Sequence, residues 1–137
     1  MKKIPVTENA FAVRTDFSND AAWDDICAAI QEPNGEFGFT ATVDFVNDPE
    51  YTGLTPEQLP ALLSEDSQWS FAFIIDRDAL TLPDHPILVV DLEGEPGRSF
   101  RVIPSEMWSV ENNLSIANMD FSEFADAVDH DGVYRGT

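Results

Sequence analysis

The chain has one cysteine, two histidines and two lysines, and each scarcity removes a class of chemistry. A lone Cys27 rules out an intramolecular disulfide and every multi-cysteine metal site. It also suits a reducing cytosol. His85 and His130 stand far apart, without the paired spacing of a histidine zinc site. With no histidine well placed as a base, Ser18 and Ser105 read as helix caps rather than nucleophiles. There is no Walker loop and no GxGxxG, and GEPGR lacks the lysine a phosphate cradle wants. Apolar runs such as ILVV are far too short to span a bilayer. The opening MKKIPVTENAFAV lacks the continuous apolar segment and cleavage site of a signal peptide. The expectation is a soluble cytoplasmic protein with no cofactor.

What is abundant is negative charge. Asp and Glu total 26 against 7 Lys and Arg, a net charge of −19. Binding to phosphate backbones draws on Lys and Arg to displace counterions, so nucleic acid is excluded as a partner, and an anionic membrane with it. A basic protein would instead be drawn in electrostatically. The plain alternative is that the charge only keeps the surface solvated.

The length of 137 residues fits one domain, and ten Phe with three Trp supply its core. Residues 1–10 read as a leader and 11–137 as a single globular domain. FAVRTDF alternates with period two, which marks a strand. Asn19 or Ser18 caps a helix over 19–32, where Trp23, Ile26, Cys27 and Ile30 form one apolar stripe. Cys27 lies on that stripe and reads as a buried, inert thiol. PNGEFG ends the helix. FTATVDFV is a second strand, and NDPEYTG a loop. Thr55 with Pro56 and Gln58 starts a helix over 55–64, short or kinked because Pro60 lacks its amide. WSFAFII is a third strand and RDALTLPDHP a connection. ILVVDL, the most apolar run, reads as the central strand, joined through EGEPGR to SFRVI as an antiparallel hairpin. Pro104 and Ser105 begin a brief helical turn, and Leu114 and Ile116 alternate as a short strand, with one longer bent helix as the alternative. Asp120 and Glu123 signal a helix over 120–129. HDGVYRGT is a tail with Tyr134 folded back. The fold class is α+β: one compact domain, a mixed sheet of five or six strands, about three helices and a short helical turn.

Three constellations could carry function. Asp16, Asp76 and Asp91 each follow an apparent strand; were those strands parallel, the carboxylates could gather at one sheet edge and hold Mg²⁺, with Arg14 assisting. Aspartate also ends strands simply because it favours turns and caps. Arg98, Arg101, Glu106, Trp108, Glu111, Asn112 and Asn113 form a second set, since aromatic and arginine side chains anchor recognition surfaces. The structural alternative places Trp108 in the core and pairs Arg101 with a carboxylate. Trp69 and Trp108 could line a small-ligand pocket. Two weaker signals are Glu93 with Glu95, spaced like a glycosidase pair but on a turn, and DHDG at 129–132, half of a calcium loop.

The strings VRTDFSNDAAWDDICAAI, DPEYTGLTPEQL and FRVIPSEMWSVENNLSIANMDFSEFADAV resemble a bacterial family of small acidic single-domain proteins of unknown function. The resemblance runs from about Phe11 to Gly136. It implies one compact domain and no reaction, so it transfers no catalytic residues. Two functional expectations follow from the residues. The first is a non-enzymatic binding module that engages a basic protein, with a toxin-neutralising immunity protein as one form. The second is a Mg²⁺-dependent phosphoryl-transfer or hydrolytic enzyme using the strand-end aspartates.

Overall fold

The computed structural model describes residues 1–34 and 38–136. Among the described residues the period-two segments form β1 (Ala10–Arg14), β2 (Val43–Val46), β3 (Phe71–Ile75), β4 (Ile87–Asp91), β5 (Ser99–Val102) and β6 (Val133–Tyr134). They make one mixed sheet in the order β2-β1-β3-β4-β5-β6. β2 and β3 run parallel to β1, the β3–β4 and β4–β5 pairs are antiparallel, and β6 runs parallel to β5. FAFII and ILVVD are buried at every position, the mark of strands covered on both faces. ILVVD is accordingly one of the two central strands, and it forms the expected hairpin with SFRV.

The two faces are covered differently. Helix α1 (Asp20–Gln31) starts where the Asn19 side chain accepts the Ala22 amide at 3.0 Å, and it buries Trp23, Ile26 and Ile30. With α3 (Met107–Ser115) and α4 (Phe121–Ala125) it closes one face over Ala12, Phe73, Val89 and Phe100. Five-residue α2 (Arg77–Thr81) continues directly from β3, capped by Asp76. The opposite face is covered by 3-10 turns at Pro49–Tyr51 and Leu59–Leu62, with Tyr51, Leu54 and Leu59 packed on Val13, Ile74 and Val90. The architecture is α+β in a single compact domain, as the patterning predicts. No helix among the described residues is long and apolar enough to cross a membrane.

The elements differ from expectation at several points, each for a local reason. The helix expected over 55–64 is only the 3-10 turn, because Pro60 cannot donate the bond that would continue an α-helix. Gln58 still accepts the Thr55 amide at 3.1 Å, so the start signal was genuine. RDALT is helix α2 rather than irregular connection. Helix α3 runs through Asn112, Asn113 and Leu114, so no strand forms there. The two asparagines are tolerated because their side chains bond back to the carbonyls of Trp108 and Ser109 at 2.6 and 2.8 Å. Helix α4 stops at Ala125, short of residue 129, and Asp120 makes no side-chain cap bond. The strand expected from Phe39 begins at Val43. The expected helix stop PNGEFG includes residues 35–37, which lie outside the described residues.

The two ends are bound in. In the segment read as a leader, Ile4 is buried and its amide donates to Leu62 O at 2.8 Å, while Tyr51 donates its hydroxyl to Lys3 O at 2.7 Å. The tail residues Val133 and Tyr134 are strand β6, and Tyr134 does fold back, edge-on against Phe124 at 5.1 Å.

Phe124 therefore locks α4 to β5 and β6 together. Phe124→Ala is expected to cost about 3–5 kcal/mol in urea denaturation, whereas Ile116→Ala, at 73% exposure, should lie within about 0.5 kcal/mol of wild type.

Candidate functional site

The strand directions decide the metal reading. β1 and β3 are parallel, so Asp16 and Asp76 emerge at the same edge of the sheet. β4 runs the other way, and Asp91 pairs with Phe71 at the start of β3. At about 3.3 Å per residue, five residues separate the Asp91 level from Asp76 by about 16 Å, far beyond the reach of one ion bound at about 2.1 Å. The three aspartates do not converge. Among the described residues no other three His, Cys, Asp or Glu side chains gather with metal-binding geometry.

Each aspartate instead serves the backbone beside it. Asp16 accepts both the amide and the hydroxyl of Ser18, which hold its carboxyl below the ordinary range. Asp76 caps Ala79 N at 3.1 Å and grips the Arg101 guanidinium at 3.0 and 2.8 Å. Asp91 is buried and accepts the amides of Glu93, Gly94 and Glu95 at 3.0, 3.2 and 2.8 Å. That nest builds the turn carrying Glu93 and Glu95. Arg14, proposed as an assistant, is enclosed: it bonds Asp16 O, Asn47 and Asp20 and lies over the Phe17 and Trp23 rings at 4.4 and 5.0 Å.

The arginine and tryptophan set divides among several places. On β5, Phe100 and Val102 face the helices, so Arg101 points to the opposite face, beside Leu88 and against Asp76. Arg98 reaches α4, donating to Ser122 at 3.1 Å and pairing with Asp126 at 3.4 Å. Trp108 stacks on Phe39 at 5.0 Å. Glu111 is buried and accepts the Thr42 amide at 2.6 Å, which ties α3 to the entry of β2. Asn112 and Asn113 serve their own helix. Glu106 is half-buried, and burial holds its carboxyl above the ordinary value. Trp69 sits elsewhere, its ring edge-on to Phe71 at 6.4 Å, beside a cleft of only about 10 Å³. DHDG is likewise engaged, since Arg135 binds Asp129 and Asp131 at 3.0 and 2.9 Å and reaches Asp84 at 3.0 Å. Cys27 is half-buried, with its thiol pushed up to about 11 by burial.

Two of the concave regions among the described residues lie at opposite ends of β3. One, of about 530 Å³, lies between the β4–β5 turn and the α3–α4 loop, with Phe71, Leu114, Met119 and Phe121 among its apolar walls. Asp91, Glu93, Glu95 and Asp120 line it, and Arg98 stands at its edge, 3.7 Å from Glu95 and 3.1 Å from the Ser122 hydroxyl. Ile116 projects from the adjoining loop, and Ala117 turns that loop with φ 55°. The second, of about 290 Å³, lies at the carboxyl ends of β1 and β3, among Thr15, Asp16, Gly53, Thr55, Arg77 and Asp78. Sequence reasoning missed both, because each joins segments from distant parts of the chain.

The strand order defines an α+β domain with a mixed sheet, and among the described residues no group of three or more His, Cys, Asp or Glu side chains could hold a metal ion. Residues 9–137 match the sequence profile of DUF6924, a domain of unknown function, and the chain belongs to that family. Among curated proteins none matches the chain.

Two outcomes test these assignments. Asp76→Ala removes a helix cap and leaves the half-buried Arg101 with only Pro86 O and the more distant, exposed Asp78, so it should cost about 2–4 kcal/mol by urea denaturation. For Glu106 the folded pKa is raised, so its carboxyl favours folding below the unfolded value of 4.5 and opposes it as pH rises through the folded value. Glu106→Gln should therefore raise the melting temperature at pH 7, with the gain vanishing below pH 4.5; an equal gain at both pH values would contradict this assignment.

Proposed function

We propose that this protein is a non-catalytic binding module that receives a basic segment of a protein partner in the groove between the β4–β5 turn and the α3–α4 loop. The observation that carries this reading is the groove's composition: apolar walls rimmed by Glu93, Glu95 and Asp120, with Arg98 as a cation at its edge, against Glu95. Lysine or arginine side chains of the partner would meet Glu93, Glu95 and Asp120, while an apolar neighbour packs against Met119 and exposed Ile116. The rest of the molecule reinforces the choice of partner. A net charge of −19 speeds encounter with a basic surface and repels a second copy. An immunity protein that fills the basic cleft of a toxin is one form this module could take, resting on charge complementarity alone.

Affinity capture from the source cells at low ionic strength tests the reading, run beside the double variant Glu93→Lys/Asp120→Lys and the single variant Ile116→Asp. These positions are exposed, so folding should be preserved. The expected result is a basic protein that elutes with salt, is lost with the charge reversals and is weakened by Ile116→Asp. Recovery of only acidic proteins or none, or of a basic protein indifferent to all three substitutions, would contradict it.

A further inference from the structure

The first half of the sheet contains a reversal of winding. From β1 the chain moves outward through α1 to β2, and from β3 it moves the other way to β4. The connection α1 covers one face and the segment between β2 and β3 covers the other. Neighbouring parallel strands whose connections depart in opposite directions leave a crevice outside their carboxyl ends, which is where open α/β sheets hold ligands. Here that crevice is the 290 Å³ cavity between the ends of β1 and β3.

Its charges are distinctive in so negative a molecule. Arg77 lines it and is exposed. Among the described residues, the other basic side chains are engaged: Lys2 by Asp48, Lys3 by Ala61 O, Arg14 by Asp20, Arg98 by Asp126, Arg101 by Asp76 and Arg135 by Asp131. Arg77 alone among them makes neither a side-chain hydrogen bond nor an ion pair. Around it stand carboxylates with unfilled capacity. Asp16 spends one oxygen on Ser18, and Asp78 is 61% exposed, with one oxygen 3.6 Å from Arg101. Leu54 and Leu88 form an apolar floor, and Thr15 and Thr55 contribute to the walls.

A simple anion would be repelled by Asp16 and Asp78, and a simple cation by Arg77. A small molecule carrying both charges meets neither objection. We propose that this crevice binds a free α-amino acid, with its carboxylate on the Arg77 fork, its ammonium toward Asp16 and Asp78, and its side chain toward Leu54 and Leu88. Arginine suits the first role because its planar donors match a carboxylate in bidentate fashion. The volume admits a ligand of that size and little more.

The test is an amide chemical-shift titration of the full chain with each common α-amino acid, and with acetate and methylamine as single-charge probes. The expected result is saturable shifts at Thr15, Gly53, Thr55 and Arg77 with at least one amino acid and with neither single-charge probe. Arg77→Gln should weaken that binding about tenfold or more, and Asp78→Asn should weaken it as well. Arg77 is exposed and unpaired, so its substitution should leave the melting temperature unchanged. No response to any amino acid, a response to acetate of equal strength, or undiminished binding by Arg77→Gln would overturn the proposal. None of these results bears on the acidic groove, which lies at the other end of β3.

Discussion

The pairing of β3 with β4 is the constraint on which the rest of the molecule depends. Phe71, Phe73 and Ile75 face the helical layer and Ala72 and Ile74 the layer of 3-10 turns, so one strand contributes to both cores. Val89 and Val90 of β4 divide in the same way. Each fully buried side chain of this kind contributes about 1.5–3 kcal/mol, and neither layer can close without the strands between. Because β3 is parallel to β1 and antiparallel to β4, this pair also sets where functional groups can meet. It brings Thr15, Asp16 and Arg77 to one edge, and sends Asp91 to the other, under the acidic turn.

Electrostatics act at a second level, as cross-links between distant segments. Arg101 joins β5 to the end of β3, Arg135 joins the tail to the loop before β4, and Lys2 joins the chain start to Asp48. Exposed pairs of this kind contribute little individually. Their main consequence is for the exterior field. With every cation but Arg77 spent internally, the surplus of carboxylates faces solvent unbalanced, and the rim of the groove under the β4–β5 turn concentrates it.

Much of the architecture was legible in the residues because burial and period agree. FAFII and ILVVD are strands by composition alone, α1 announces itself by its stripe and the Asn19 cap, and the EGEPGR turn marks the hairpin. What was not legible depended on strand direction or on side-chain capacity. Nothing local to Asp16, Asp76 and Asp91 reveals that one strand runs backwards. The run of α3 through Asn112 and Asn113 was hidden because intrinsic preference does not register their bonds back to the helix. Tyr51 and β6 were missed because their burial is conferred by distant partners: the chain start and the core of Val13, Ile74 and Val90 in one case, Phe124 and β5 in the other. The crevice was half visible, since Asp16 and Asp76 were singled out and both line it. Arg77 was passed over because a single arginine after a strand carries no signal until its lack of a partner is seen.

Native-state hydrogen exchange measures the central pairing directly. If both layers close on β3 and β4, the amides of Phe73, Ile74 and Val89 should exchange only through global unfolding, with a free energy equal to that from urea denaturation, while amides of α4 and two-residue β6 open more cheaply. Exchange at Phe73, Ile74 and Val89 by openings cheaper than those of α4 or β6 would contradict the account.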